Sequence, residues 1–326
     1  MTKQTIRLAG WASALLSLAS TALADVKLNE NFSVGGYAVG SYQYTKTDGS
    51  PATDRFDTDA IKTAFTASFK PVTGVVSLFY PGVAGDEVTV LDAYATYDAG
   101  EGYSITGGKF LSYHGYEAFD PVNMTQITYA APTAGSMFSI PAYHSGIRLD
   151  YSDSAHSYGL ALVDSVYSPY SIFKGDGELK DNAGFEGYYK YTGTKDLTIF
   201  AGVAYDSKGG FQSHSVLMLD LWAQYNVSSE VYIAGEVANS NAGMGIKSTS
   251  WLALLGYTPA GPVSWVFRLS GDSPKAAVGA DKYLQYTVSP TYKLTDNLSI
   301  RGEYSYYDYK NTGSKSFFGV QALFKF

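Results

Sequence analysis

The chain has 326 residues, a formal net charge of −7, 29 tyrosines, 34 glycines and no cysteine. Without cysteine there is neither a disulfide framework nor a thiolate metal centre, and an acidic balance with few basic clusters argues against nucleic acid as a partner. So many tyrosines and glycines beside only 16% charged residues do not suit a soluble domain; close-packed strands with aromatic girdles account for both.

The N-terminus reads as a secretory signal. Lys3 and Arg7 form a basic region, Leu8 to Leu18 a short apolar stretch, and Ala22-Leu23-Ala24 a small-x-small cleavage site. The expected organisation is therefore a signal peptide over 1–24 and a single β-barrel domain over 25–326. Losing Lys3 and Arg7 takes the formal charge from −7 to −9. No later apolar run approaches the roughly 20 residues that a membrane helix needs.

Downstream, period-two runs recur. They predict strands over 32–44, 60–69, 74–80, 87–97, 103–111, 145–152, 156–164, 184–192, 196–206, 214–226, 230–240, 248–257, 262–271, 281–292, 297–308 and 316–326. Leu197, Ile199, Ala201, Val203 and Tyr205 share one face, with Thr198, Gly202 and Asp206 opposite. In the last run Phe318, Val320, Ala322, Phe324 and Phe326 share a face opposite Gly319, Gln321, Leu323 and Lys325.

The connections alternate in length. Short ones, rich in turn formers, fall at 98–102, 192–196, 226–230, 258–262 and 293–297, with two more at 70–74 and 152–157. An aromatic residue precedes every one: Phe69, Tyr97, Tyr151, Tyr191, Tyr225, Tyr257 and Tyr292. An interfacial girdle needs that placement, because the ring is apolar and the tyrosine hydroxyl seeks water. Longer, more polar connections lie at 45–59, 112–145, 165–183 and 272–281. The expected fold is an all-β, transmembrane, antiparallel up-and-down barrel of about sixteen strands, with fourteen to eighteen compatible, short periplasmic turns and long external loops. A soluble propeller or sandwich predicts neither the length alternation nor aromatics keyed to one turn class.

If the apolar face meets lipid, the other face lines a lumen. Arg148, Glu186, Lys190, Arg268, Arg301 and Glu303 fall on that face, and a barrel of about sixteen strands is wide enough for water. The connection over 112–145 is the longest. Long loops in compact proteins are usually functional, and this one, folded inward, would narrow the channel. It supplies His114, Glu117, Asp120 and His144, and Lys109 stands just ahead of it. These eleven residues are the pore-lining or constriction candidates.

Other chemistry finds little support. His114, Glu117 and His144 have weak metal spacing, so neither a metal nor any other cofactor is expected. His144-Ser145 as a hydrolase dyad lacks a third orienting group, and chain neighbours rarely face each other. Paired glycines at Gly35-Gly36 and Gly107-Gly108 lie in strands and match no phosphate-binding motif.

From Leu91 to Tyr151 the chain resembles the OmpL-like β-barrel porins. The resemblance rests on Leu91-Asp92-Ala93-Tyr94, Gly107-Gly108-Lys109-Phe110, Gly115-Tyr116-Glu117, Asn123, and Pro141-Ala142-Tyr143-His144-Ser145-Gly146-Ile147. It implies an outer-membrane porin of a Gram-negative bacterium. Together with the barrel pattern, the expected role is passive diffusion of ions and small hydrophilic solutes, with outer-membrane lipid around the outer face. Trimeric assembly is expected by analogy with porins of this size. The rival expectations are an adhesin or receptor acting through external loops and, less favoured, an outer-membrane lipid hydrolase.

Overall fold

The computed structural model describes residues 26–82, 87–134, 140–167, 179, 182–209, 214–275 and 280–326. The expected signal peptide and most of the connection over 165–183 lie outside the described residues. In chain order the strands are β1 (Val26–Lys27), β2 (Phe32–Thr47), β3 (Thr53–Phe69), β4 (Val72–Tyr80), β5 (Thr89–Gly100), β6 (Tyr103–Leu111), β7 (Tyr143–Ser152), β8 (His156–Val163), β9 (Gly184–Thr194), β10 (Leu197–Asp206), β11 (Val216–Asn226), β12 (Val231–Asn241), β13 (Lys247–Tyr257), β14 (Val263–Asp272), β15 (Tyr283–Lys293), β16 (Leu298–Tyr309) and β17 (Gly313–Lys325). No described helix is long and apolar enough to cross a membrane; the crossing is made by strands.

Every strand from β2 to β17 pairs antiparallel with its chain neighbours. β17 then pairs with β2, from Lys315↔Thr47 to Lys325↔Tyr37, and closes a sixteen-stranded ring. Closure leaves no edge, which is what a sheet in hydrocarbon requires, since an unpaired N–H or C=O has no water there. The seam is finished by the terminal residue. The Phe326 amide donates to the Gly36 carbonyl (3.0 Å) and the Gly36 amide to the Phe326 carbonyl (2.9 Å). Beyond that point β1 pairs with β2 at Val34 and Ser33, an extra strand that the sequence pattern does not contain.

All sixteen expected strands are present. The first external connection is shorter than the expected 45–59, because β2 and β3 run on past their apolar stretches as a paired ribbon to Thr47 and Thr53. Polar residues continue a ladder when the hairpin already holds them in register. External connections at 242–246 and 310–312 are also short, so external length is not uniform.

Alternation sets the two faces. On β17, Phe318, Val320 and Phe324 are exposed while Gln321 and Leu323 are buried; on β10, Val203 and Tyr205 are exposed while Phe200 and Asp206 are buried. Phe69, Tyr97, Tyr225, Tyr257 and Tyr292 stand outward beside the short turns. The inner face is less polar than the pattern implies. Phe110, Val163, Phe200, Ala204 and Met218 form an apolar cluster inside the ring, and the loop that covers it builds the site.

Candidate functional site: a strap across the lumen

β6 and β7 are direct neighbours, with Leu111 opposite Tyr143. The connection over 112–142 therefore leaves and returns at one place. Its described residues, 112–134 and 140–142, form a strap inside the barrel that contains a 3-10 turn, Pro121–Asn123, and a short helical turn, α1 (Ala131–Ala134). Most of the strap is irregular. Its backbone groups need partners, and inside the ring these come from wall side chains.

The pairing is chemically ordered. Where the strap offers N–H groups the wall offers carboxylates. The Gly115 amide donates to Asp220 (2.9 Å), that of Tyr116 to Glu236 (2.8 Å), and those of Ile127 and Thr128 to Glu303, at 3.0 Å for Thr128. Where it offers carbonyls the wall offers arginine. Arg301 donates to the carbonyls of Pro121 (3.1 Å), Gln126 (3.2 Å) and Met124, and Arg268 to that of Thr128 (2.7 Å). Buried charges of either sign are thus compensated by hydrogen bonds as well as by one another.

Side chains complete the anchoring. Glu117 on the strap meets Arg268 at 2.5 Å and accepts the Ala130 amide at 2.7 Å. Asp120 accepts from the Tyr37 hydroxyl (2.8 Å) and lies 3.4 Å from Lys62, which also meets Asp92 at 3.0 Å. Ser112 donates to Glu186 (2.6 Å). The His144 ring lies 3.3 Å from Glu186 and the His114 ring 3.7 Å from Asp220. Arg148 sits 3.3 Å from Asp150 with its guanidinium over the rings of Phe110 and Tyr113.

Charges of both signs line the wall. β9, β11 and β12 present the acids Glu186, Asp220 and Glu236, with Lys190 also on β9; β3, β14 and β16 present Lys62, Arg268 and Arg301, with Glu303 also on β16, all buried. Of the sequence candidates, His114, Glu117, Asp120, His144, Glu186, Arg268, Arg301 and Glu303 meet at the strap. Arg148 lies beside the strap's Tyr113, and Lys190 faces inward on β9. Lys109 is a correction. It shares a face with Ile105 and Ile147, which are exposed outward, and donates to the Val90 carbonyl at 2.8 Å. Near the strand end a lysine can sit on the outer face, because its stem lies on apolar surface while its head finds a polar partner.

Lys62, Asp92, Asp220 and Glu236 also belong to the candidate site, and the sequence reading missed them. Asp220 stands between Leu219 and Leu221, both outward, just as Arg268 stands between Phe267 and Leu269; a lone charge in an apolar alternation was the signal. His114, Glu117 and His144 go to different partners, and among the described residues no group of three His, Asp or Glu could hold a metal. His144 points inward and Ser145, on the face of Lys109, does not, so the two are not brought together for hydrolysis.

With this geometry in view, a family model described as "Putative beta-barrel porin-2, OmpL-like" matches residues 84–326. No curated protein matches the chain in sequence. Solved structures share the fold. The anion-selective porin from Comamonas acidovorans superposes with a TM-score of 0.70 at 12% identity, covering 91% of this chain and 99% of that one. Salmonella typhi OmpF, in complex with daunomycin, gives 0.67 at 16% identity, covering 92% and 100%. Vibrio cholerae OmpT in a trimer form gives 0.61 at 13% identity, covering 91% and 100%.

Proposed function

This chain belongs to the "Putative beta-barrel porin-2, OmpL-like" family and forms an outer-membrane channel for small solutes in a Gram-negative bacterium; from that premise we propose how it selects what passes. The strap is the constriction. His114, Glu117, Asp120, His144, Arg148, Glu186, Arg268, Arg301 and Glu303 set its aperture, most of them by pinning the strap to the wall and Arg148 by flanking it at Tyr113. Selection then follows from the remaining gap and from the charges around it. The observation that supports this reading is the reciprocal pairing of strap N–H groups with wall carboxylates and strap carbonyls with wall arginines. Such pairing holds an irregular segment at one depth.

Passage needs no covalent step, and we assign no catalytic residue. By analogy with the OmpT trimer form, the protein assembles as a trimer. Residues 1–24 are removed on export, leaving Asp25 as the first residue, which intact-mass measurement of the purified protein checks. The function is tested with detergent-purified protein in planar bilayers. Stepwise conductance with solute-size-dependent swelling of loaded liposomes is expected, and a protein that inserts without conducting overturns the proposal.

A further inference from the structure

The cations of the inner wall are nearly all spoken for. Arg55, Lys62, Arg148 and Arg268 each face a carboxylate. Arg301 is held by strap carbonyls, and Lys315 lies 3.8 Å over the Tyr307 ring. Lys190 is different. It faces inward on β9, on the side of Glu186 and Tyr188, with Phe185 and Tyr189 outward. Among the described residues it has no ion pair, hydrogen bond or ring partner. An unpaired ammonium in such surroundings is costly unless it reaches water or an anion. Its nitrogen is not one of the partnerless polar atoms sealed from solvent, as Arg268 Nε is. It therefore opens on the aqueous lumen.

Its place on the path is also defined. The strap's Ser112 bonds Glu186, and Lys190 lies four residues further toward the short-turn end of β9, about 13 Å along the strand at 3.3 Å per residue. The strap's own Tyr116 reaches Trp222 and Gln224 on the wall, so Lys190 lines the passage beside the strap. In register, Lys190 stands opposite Phe200 and Phe200 opposite Trp222, which puts Trp222 two strands away, about 10 Å. Trp222 is half-buried and stacks on Phe200 (5.2 Å, 5°). Tyr116 meets it edge-on at 5.6 Å and donates its hydroxyl to Gln224 at 2.9 Å. Beside the free ammonium lies an aromatic surface with an amide at its margin. A body carrying hydroxyls can rest there while a charged end is held at Lys190.

We propose that Lys190 is the anion-contacting residue of a subsite beside the strap, and that this subsite takes small hydroxylated carboxylates, the carboxylate on the ammonium and the body toward Trp222. The assignment rests on the channel reading above. It also runs against the charge of the whole processed chain, because the surplus acids are spread over strap anchors and loops while this cation is unopposed.

The test uses wild type, Lys190→Gln, Lys190→Arg and, as a control on an exposed periplasmic turn, Lys195→Gln, each checked for heat-modifiable migration. Reversal potentials are read in potassium gluconate and potassium chloride gradients, together with the current block by gluconate and by neutral glucose. Lys190→Gln is expected to lower gluconate permeability relative to potassium by about threefold and to relieve gluconate block. Lys190→Arg and Lys195→Gln should behave as wild type, and glucose should not distinguish the variants. Unchanged gluconate behaviour in a folded, conducting Lys190→Gln channel overturns the proposal; so does an equal loss for chloride, which would make the site a general anion contact. A wild type that does not conduct defeats the channel reading instead and is seen before any variant is compared.

Discussion

Gly202 on β10 shows how one missing side chain admits the strap. It faces inward beneath His114, and a Cβ placed there would stand 2.5 and 2.6 Å from the imidazole. Gly202→Val is expected to push His114 away and to break the neighbouring bond from Gly115 to Asp220. It should cost about 1–3 kcal/mol as overpacking does, read as a lower detergent melting temperature with an intact barrel by circular dichroism. A second residue-scale expectation concerns the periplasmic turn after β7. The amides of Ala155 and His156 donate to Asp153 (2.8 and 2.7 Å), and the Tyr151 hydroxyl adds a third bond at 3.2 Å. Those bonds hold the Asp153 carboxyl below its ordinary value. A carboxyl depressed on folding contributes stability above the ordinary carboxylate range, near pH 4, and loses it as pH falls through the folded value. Hydrogen exchange at the His156 amide should therefore stay slow down to that range in wild type and be fast in Asp153→Ala throughout.

The strap is the element on which aperture depends, and Arg301 is its heaviest anchor. Arg301→Ala leaves several buried carbonyls without donors, each worth roughly 1–3 kcal/mol. The strap should then detach locally: conductance and current noise rise, and chymotrypsin cuts near Phe119 or Tyr129 while the strands remain protected. Unaltered conductance would mean that the strap is held elsewhere. The strands themselves were legible because alternation is local; Leu221 and Asp220 declare their faces within three residues. The strap's path was not, because its bonds join groups far apart in the chain, Gly115 to Asp220 and Ile127 to Glu303, and no periodicity connects them. Nor could the inner apolar cluster around Phe200 be read, since an inward phenylalanine makes sense only once Tyr113 and His114 lie over it. Lys109 was misplaced for a related reason. Its place just ahead of the long connection argued it inward, whereas the face it shares with Ile105 and Ile147 and the reach to the Val90 carbonyl turn it out.

For the whole molecule, the outward orientation of the apolar face can be measured directly. Leu221 is exposed at the middle of β11, and Thr198 faces inward beside Phe200. Leu221→Arg should lower the stability of the inserted barrel by about 2–4 kcal/mol, whereas Thr198→Arg, which meets solvent, should leave it nearly unchanged. Urea titration in lipid vesicles compares them, and equal effects would reverse the assignment of faces.

Anchors for the strap come from both ends of the polypeptide, Tyr37 and Lys62 early, Arg301 and Glu303 late. During biogenesis that segment cannot complete its anchoring until the first and last strands have met. Its ordering is consequently a timestamp of completion. A chain stalled with the β2–β17 seam unzipped, for instance one lacking Phe326, should carry a protease-sensitive interior long after its central hairpins have formed.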